Sequence, residues 1–255
     1  DISRPLLNPN EIALLERIMT GGADGMFMAD NLWRADYCRR PPSMQEFITD
    51  PFFLGSMLHP GRDGGIWPAW SQILCDEFDR DSFLHNVVLT GAIGTGKTTV
   101  MVVVLLYRIC LVLLLKRPAE MLEQGAGSAL YFAIVSVTRE TAQQTAFPQA
   151  VSLMAASPFF RKASGILPRG TSSGADIELA RAEDNETHTP VYLISGSKAH
   201  HLIGRNIVGI GFDEGNYRLE KDQDASAFGM YESMRNRVIS RLKTREGYLP
   251  GITII

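Results

Sequence analysis

The run NVVLTGAIGTGKTTVMVVVLL, residues 86–106, constrains the fold more than any other feature of this 255-residue chain. An apolar run leads into a G-x-x-x-x-G-K-T loop, Gly91 to Thr98, and an unbroken apolar segment follows it. Glycines at 91, 94 and 96 let backbone N–H groups close around an anion. A helix opening at such a loop points the positive end of its dipole at the same charge. The run therefore reads as strand, phosphate-gripping loop and helix. Lys97 is expected to reach the β and γ phosphates of a nucleotide and Thr98 to ligate Mg²⁺, with Thr95 and Thr99 completing the cradle.

The segment that follows, VMVVVLLYRICLVLLL at residues 100–115, imitates a membrane span. Its 16 residues fall short of the ~20 that cross a bilayer, and Arg108 stands at its middle. Its β-branched content favours a strand, but the loop before it demands a helix, so it reads as a helix buried on nearly all sides. No membrane is expected as a partner. A hydrophobic fraction of 45% and a charged fraction of 21% suit a globular chain, which excludes disorder as the main description. The net charge of -3 excludes a chain that is basic throughout, so a nucleic-acid partner has to meet a local patch. Cys38, Cys75 and Cys110 are odd in number and far apart, against a disulfide framework or zinc site and in favour of a reducing compartment. His200 and His201 are adjacent rather than at ligand spacing and read as loop or core. The opening DISRPLLNPNEIALLERI has no signal-peptide pattern and no initiator Met, and the chain ends abruptly on GITII. It is expected to be a piece of a longer protein.

From Asn86 onward apolar runs alternate with helical patterns, which predicts a parallel sheet covered by helices. Strands are expected at 86–89, 129–137, 191–195, 207–212 and 252–255, and helices at 97–116, 139–156 and 225–243. The polar stretch 167–190 reads as an exposed hairpin or loop with one strand at 176–180. Residues 1–85 read as an N-terminal helical lid or appendage on an 86–255 core. That segment has a helix over 9–19 and a second, short helix capped by Ser43 with Glu46 and stopped by Pro51.

Chemistry concentrates in three further places. NIVGIGFDEGNY, 206–217, ends a strand in two acids: Asp213 is placed to hold the Mg²⁺ shell and Glu214 to polarise a water for attack on the γ-phosphate, unless the pair only caps the strand. IWPAWSQILCDEF puts Gln72 19 residues before Gly91. Its amide suits the adenine edge and Trp70 can stack on the base; alternatively Trp70, Ile73, Leu74 and Phe78 are the buried stripe of an amphipathic helix. MRNRVISRLKTRE carries Arg235, Arg237, Arg241, Lys243 and Arg245 around an apolar face, which reads as a solvated helix face, a contact to a phosphate backbone or an arginine reaching into a neighbouring subunit's nucleotide.

With these elements in order, the chain resembles the ATPase domain of a large terminase subunit, the DNA-packaging motor of tailed bacteriophages. The segments that carry the resemblance are FITDPFFLGSMLHPGRDGGIWPAWSQIL, VVLTGAIGTGKTT, YFAIVSVTRETAQQTAFPQAVSLMAASPFF, SGSKAHHLIGRNIVGIGFDEGNY and a helix ending in NRVISR. The resemblance implies a P-loop, RecA-like α/β fold of the additional-strand, catalytic-glutamate type. It implies ATP and Mg²⁺ as cofactors, with Gly91, Gly94, Thr95, Gly96, Lys97, Thr98 and Thr99 at the phosphates, Thr98 and Asp213 at the metal, Glu214 at the water and Gln72 at the adenine. It further implies double-stranded DNA, a portal protein and a small terminase subunit as partners. The active form would be a homo-oligomeric ring in the host cell cytoplasm, absent from the mature virion. Many terminases carry an arginine inside the loop where this chain has Ala92 and Ile93, so the charge-stabilising arginine is open among Arg139, Arg205 and Arg241. The RNase H-type nuclease domain of such subunits does not fit in this chain, and no cleavage activity is expected. A related helicase core and a nucleotide-dependent assembly switch are the competing readings.

Overall fold

The computed structural model describes residues 9–22, 34, 36–80, 82, 84, 86–92, 94–125, 127–136, 145–164, 176–179, 189–196, 204–213, 232, 235–236, 243–244, 247–248 and 252–254. Its strands are β1 (Asn86–Val87), β2 (Leu130–Ser136), β3 (Asp176–Leu179), β4 (Val191–Gly196), β5 (Asn206–Asp213), β6 (Lys243–Thr244), β7 (Gly247–Tyr248) and β8 (Ile252–Ile254). Six form one sheet in the order β1-β8-β5-β2-β4-β3, and β6 and β7 form a separate hairpin. All pairings in the large sheet are parallel except β3 with β4, so β3 is an antiparallel edge. The near-continuous apolar runs of β2 and β5 follow from this arrangement, because a parallel strand is covered on both faces. Leu130 to Val135 of β2 are buried except Tyr131, and Ile207 to Phe212 of β5 are buried throughout.

The helices are α1 (Pro9–Thr20), α2 (Met44–Thr49), α3 (Gly55–Leu58), α4 (Pro68–Glu77), α5 (Lys97–Leu114), α6 (Pro118–Met121), α7 (Ala146–Ala156) and α8 (Pro158–Ser164). α5 is the helix expected after the loop, and every residue from Val100 to Leu114 is buried. By length and composition α5 could cross a bilayer, but here it is the core helix under the sheet's partners. Two glycines of β5 let it approach: a Cβ on Gly209 would lie 3.3 Å from Leu105 Cδ1 of α5 and 2.7 Å from Phe132 Cδ1 of β2, and one on Gly211 would lie 2.9 Å from Met101 Sδ of α5.

Residues 43–79 share this core. Ser43 and Glu46 form the expected capping box on α2, with Glu46 Oε2 accepting from Ser43 N at 2.7 Å and Ser43 Oγ accepting from Glu46 N at 3.1 Å. Met44, Phe47 and Ile48 then face inward, and the Phe47 ring lies 5.2 Å from that of Tyr107 on α5. The two aromatic pairs Phe52–Phe53 and Phe159–Phe160 meet, and Phe52 O accepts from Phe159 N at 2.9 Å. The division expected at residue 85 therefore does not coincide with a break in packing between 43 and 79.

Three sequence expectations change. Thr145 is a turn and α7 starts at Ala146, not at Arg139, because Pro148 is tolerated only in a first helical turn; residues 139–144 lie outside the described residues. The helix expected over 225–243 is helical at 232 and 235–236, but Lys243 belongs to β6, paired with Tyr248; the rest of that span is outside the described residues. Ile73 is 40% exposed: α4 buries the i, i+4 pair Leu74 and Phe78, and Ile73 falls off that narrow stripe.

Candidate functional site

The loop closes where β1 hands over to α5. Gly96 is the N-cap of α5 at φ 83°, and Gly94 stands at φ 79°, left-handed conformations that a side chain resists. With no capping side chain at Gly96, the first N–H groups of an 18-residue helix are left facing the loop. Lys97 Nζ donates to Gly91 O at 2.8 Å and Ala92 O at 2.6 Å, so the ammonium spans the loop it belongs to. Thr95 Oγ1 donates to Ala92 O at 2.9 Å.

Asp213, the last residue of β5, meets this loop from 115 positions away: Thr98 Oγ1 donates to its Oδ1 at 3.1 Å. Its other oxygen, Oδ2, accepts from Thr145 Oγ1 at 3.3 Å. Thr145 stands at the N-cap of α7 yet its side chain makes no capping bond, its hydroxyl serving Asp213 instead. α7 makes a second contact one turn on, where Gln149 Nε2 donates to Thr99 Oγ1 at 2.7 Å. The sequence reading missed Thr145 and Gln149. Their only signal was two polar residues flanking Pro148 at a helix start, which does not say what the helix faces.

A cavity of about 290 Å³ opens beside the loop, walled by Trp67 and Trp70 of the α4 start, Gly94 to Gly96, Thr99, and Gln149 and Ser152 of α7. Pro68 at the first position of α4 fixes this helix start, and the Trp70 indole N–H donates to Thr95 O, pinning α4 to the loop. Gln72 is not part of this wall. It is exposed and its amide donates to Asp76 Oδ1 and Oδ2 at 2.9 and 2.7 Å. Two residues on a helix are about 200° apart around the axis, so Trp70 and Gln72 cannot face one cavity.

Arg205 lies at the other end of the sheet, just before Asn206, which is the register partner of Leu130, whereas Asp213 pairs with Ser136. Its guanidinium stacks 5.1 Å from the Tyr131 ring centroid. Eight residue steps along β5 separate it from Asp213, roughly 26 Å, so Arg205 does not reach the loop of its own chain. Glu214, Arg139 and Arg241 lie outside the described residues.

The donor set suits a hard cation. A hydroxyl and one carboxylate oxygen converge at Thr98 and Asp213, the sparse oxygen set that Mg²⁺ takes when phosphates supply the rest. Among the described residues no cluster of three or more His, Cys, Asp or Glu could hold a metal by itself. Ser136, next to Asp213, is fully buried and its Oγ has no hydrogen-bond partner among the described residues.

These features define a mixed α/β protein whose mainly parallel sheet, flanked by helices, brings a glycine loop, a lysine, a threonine and an aspartate together at one end of its strands. The sequence matches no protein-family model and no curated protein. Among solved structures the chain is similar to the crystal structure of the HK97 bacteriophage large terminase, with a TM-score of 0.46 and 17% identity over 84% of this chain and 37% of that one. The chain thus spans little more than a third of the length of that terminase.

Proposed function

We propose that this chain is the ATP-hydrolysing domain of a double-stranded DNA translocase, with a P-loop, RecA-like core of the additional-strand type. The observation that carries the nucleotide part is the 3.1 Å bond between Thr98 and Asp213, which ties a glycine loop to a strand-end acid 115 residues away. The strand order supports it, since β8 lies between β1, which feeds the loop, and β5, which ends in Asp213. The translocase part rests on the ordered sequence segments that resemble terminase ATPase domains.

In this reading the N–H groups from Gly91 to Thr98 hold the phosphates, and Lys97 Nζ exchanges the Gly91 and Ala92 carbonyls for phosphate oxygens. Mg²⁺ held by Thr98 and Asp213 would neutralise charge on the β and γ oxygens. Glu214 orients and deprotonates the attacking water. Trp70 and Gln149 bound the adjacent cavity, where the base and sugar fit. DNA contacts are to phosphates, without sequence preference and weakened by salt.

The test is steady-state ATP hydrolysis by the wild type and Glu214→Gln, with and without linear duplex DNA, at low and high salt. The expected result is turnover raised by DNA, a stimulation lost at high salt, and a variant that binds ATP but loses most turnover. Wild-type nucleotide binding with negligible, DNA-independent turnover would instead make the chain an assembly switch.

A further inference from the structure

We infer that Ser136 is a positioning residue of the metal site, its buried hydroxyl accepting from a water on the cation that Thr98 and Asp213 hold. This rests on the nucleotide–Mg²⁺ reading above and extends that site one strand further across the sheet.

The placement follows from register. Ser136 of β2 pairs with Asp213 of β5, and paired residues of neighbouring parallel strands point to the same face. That face is the one covered by α5, since Gly211, two residues before Asp213, abuts Met101 of α5 and Thr98 reaches Asp213 from the same helix. Adjacent strands lie about 4.8 Å apart, so the Ser136 hydroxyl stands one strand spacing from the carboxylate. Both Asp213 oxygens already accept from threonines, one from Thr98 and one from Thr145. Ser136 is not among their donors.

A buried hydroxyl without a partner costs stability, and native chains keep such groups few. Ser136 is fully buried, so bulk water does not serve it. Mg²⁺ loses its waters reluctantly and arrives at a protein with several still attached, each carrying protons to donate. An acceptor beside the single carboxylate ligand is what such a water requires, and groups in this outer position measurably tune metal affinity. Ser195 gives an internal contrast: its Oγ is also buried and unpartnered, and it pairs with Ile134, which puts it on the same face but one strand further from Asp213.

The experiment compares the wild type, Ser136→Ala and Ser195→Ala by two readouts that need no turnover. The first is thermal unfolding of each protein alone; the second is binding of a fluorescent non-hydrolysable ATP analogue as Mg²⁺ is titrated. Alanine in place of an orphan hydroxyl is expected to leave Tm unchanged or raise it by about 2–4 °C in both variants. Only Ser136→Ala is expected to raise the half-saturating Mg²⁺ concentration, by about tenfold, while affinity for the analogue in EDTA stays at the wild-type value. An unchanged Mg²⁺ requirement in Ser136→Ala overturns the inference and leaves the nucleotide reading intact. So does an equal shift in Ser195→Ala, which would make the effect non-local. A fall of several degrees in the Tm of Ser136→Ala alone also overturns it, since that hydroxyl would then be structurally paired. A wild type that binds no analogue with Mg²⁺ overturns both readings together.

Discussion

At Gln149 a single amide joins two parts of the candidate site, since it donates to Thr99 of the loop's helix and also walls the cavity beside Trp70. Truncating it removes a contact on the ligand side, whereas truncating Gln72 removes only a bond to Asp76 on an exposed face. Gln149→Ala is therefore expected to weaken ATP-analogue binding about three- to tenfold, the scale of one hydrogen bond, and Gln72→Ala to leave it within twofold; the reverse order in a fluorescence titration would restore Gln72 as the base reader. Asp79 is a second place where one residue decides something. Burial pushes its carboxyl up, but hydrogen bonds from the N–H groups of Arg80 and Met44 and from the Tyr107 hydroxyl outweigh it and hold the group below the usual aspartate range. A folded-state pKa below the unfolded value contributes stability that is present above about pH 4 and lost as pH falls through the folded value. Asp79→Asn should thus be less stable than wild type at pH 7 and approach it at pH 2–3. Chemical denaturation at both values measures the gap, and a gap of constant size would reject the assignment. Arg108, 5% exposed in the middle of α5, has an Nε without a partner among the described residues, and burial pulls its guanidinium pKa down against the opposing pull of Tyr107, Tyr37 and Asp79. Replacing a buried charge by an apolar side chain of similar length is often neutral or stabilising by about 1–4 kcal/mol, while breaking a true buried pair costs about 3–5. Arg108→Met should fall in the first class in urea unfolding.

Among the elements, β5 shows how the sheet and α5 fit. Gly209 faces the Phe132 ring, and an alanine there would gain about 0.5–1 kcal/mol of chain entropy but force a methyl to within 2.7 Å of a fully buried aromatic. Overpacking of this kind costs about 1–3 kcal/mol, so the steric term wins. Gly209→Ala is expected to lower stability by about 1–2 kcal/mol, and an equally stable variant would mean that the Phe132 ring of β2 can turn aside within the core. The elements themselves were legible because their signals are local. The capping box at Ser43, the loop before Lys97 and the apolar runs of β2, β4 and β5 each sit within a few residues of what they specify. That Gln72 lies off the cavity wall was also readable, because the helical period that brings Trp70 to the loop turns Gln72 away from it. Thr145, Gln149 and Ser136 were not legible at all. Their roles depend on β2 lying beside β5 and on α7 crossing the loop, pairings between segments that no short pattern encodes.

Over the whole molecule the sheet has two chemically distinct ends, and Arg205 belongs to the wrong one for its own site. The end that holds Asp213 meets Gly91 to Thr99, while the opposite end holds Arg205 on Tyr131. The loop has Ala92 and Ile93 and so no arginine of its own; if the proposed reaction needs one at the γ-phosphate, Arg139, Arg241 and a second copy of the chain are the sources left to test. For Arg205 these placements give separable expectations. Losing the stack on Tyr131 costs about 0.5–2 kcal/mol at this half-buried site, so Arg205→Ala should unfold earlier. Turnover per chain in dilute solution, where each site works alone, should equal that of the wild type, because roughly 26 Å of strand separates the residue from Asp213. If neighbouring copies complete one another's sites, wild-type turnover per chain rises with protein concentration, and the variant tests whether Arg205 is the donor: it follows the same rise if another arginine is used and stays flat if Arg205 is. A variant already slow at the lowest concentration would contradict the placement of Arg205 at the far end of the sheet, since only a residue within reach of its own loop can fail there.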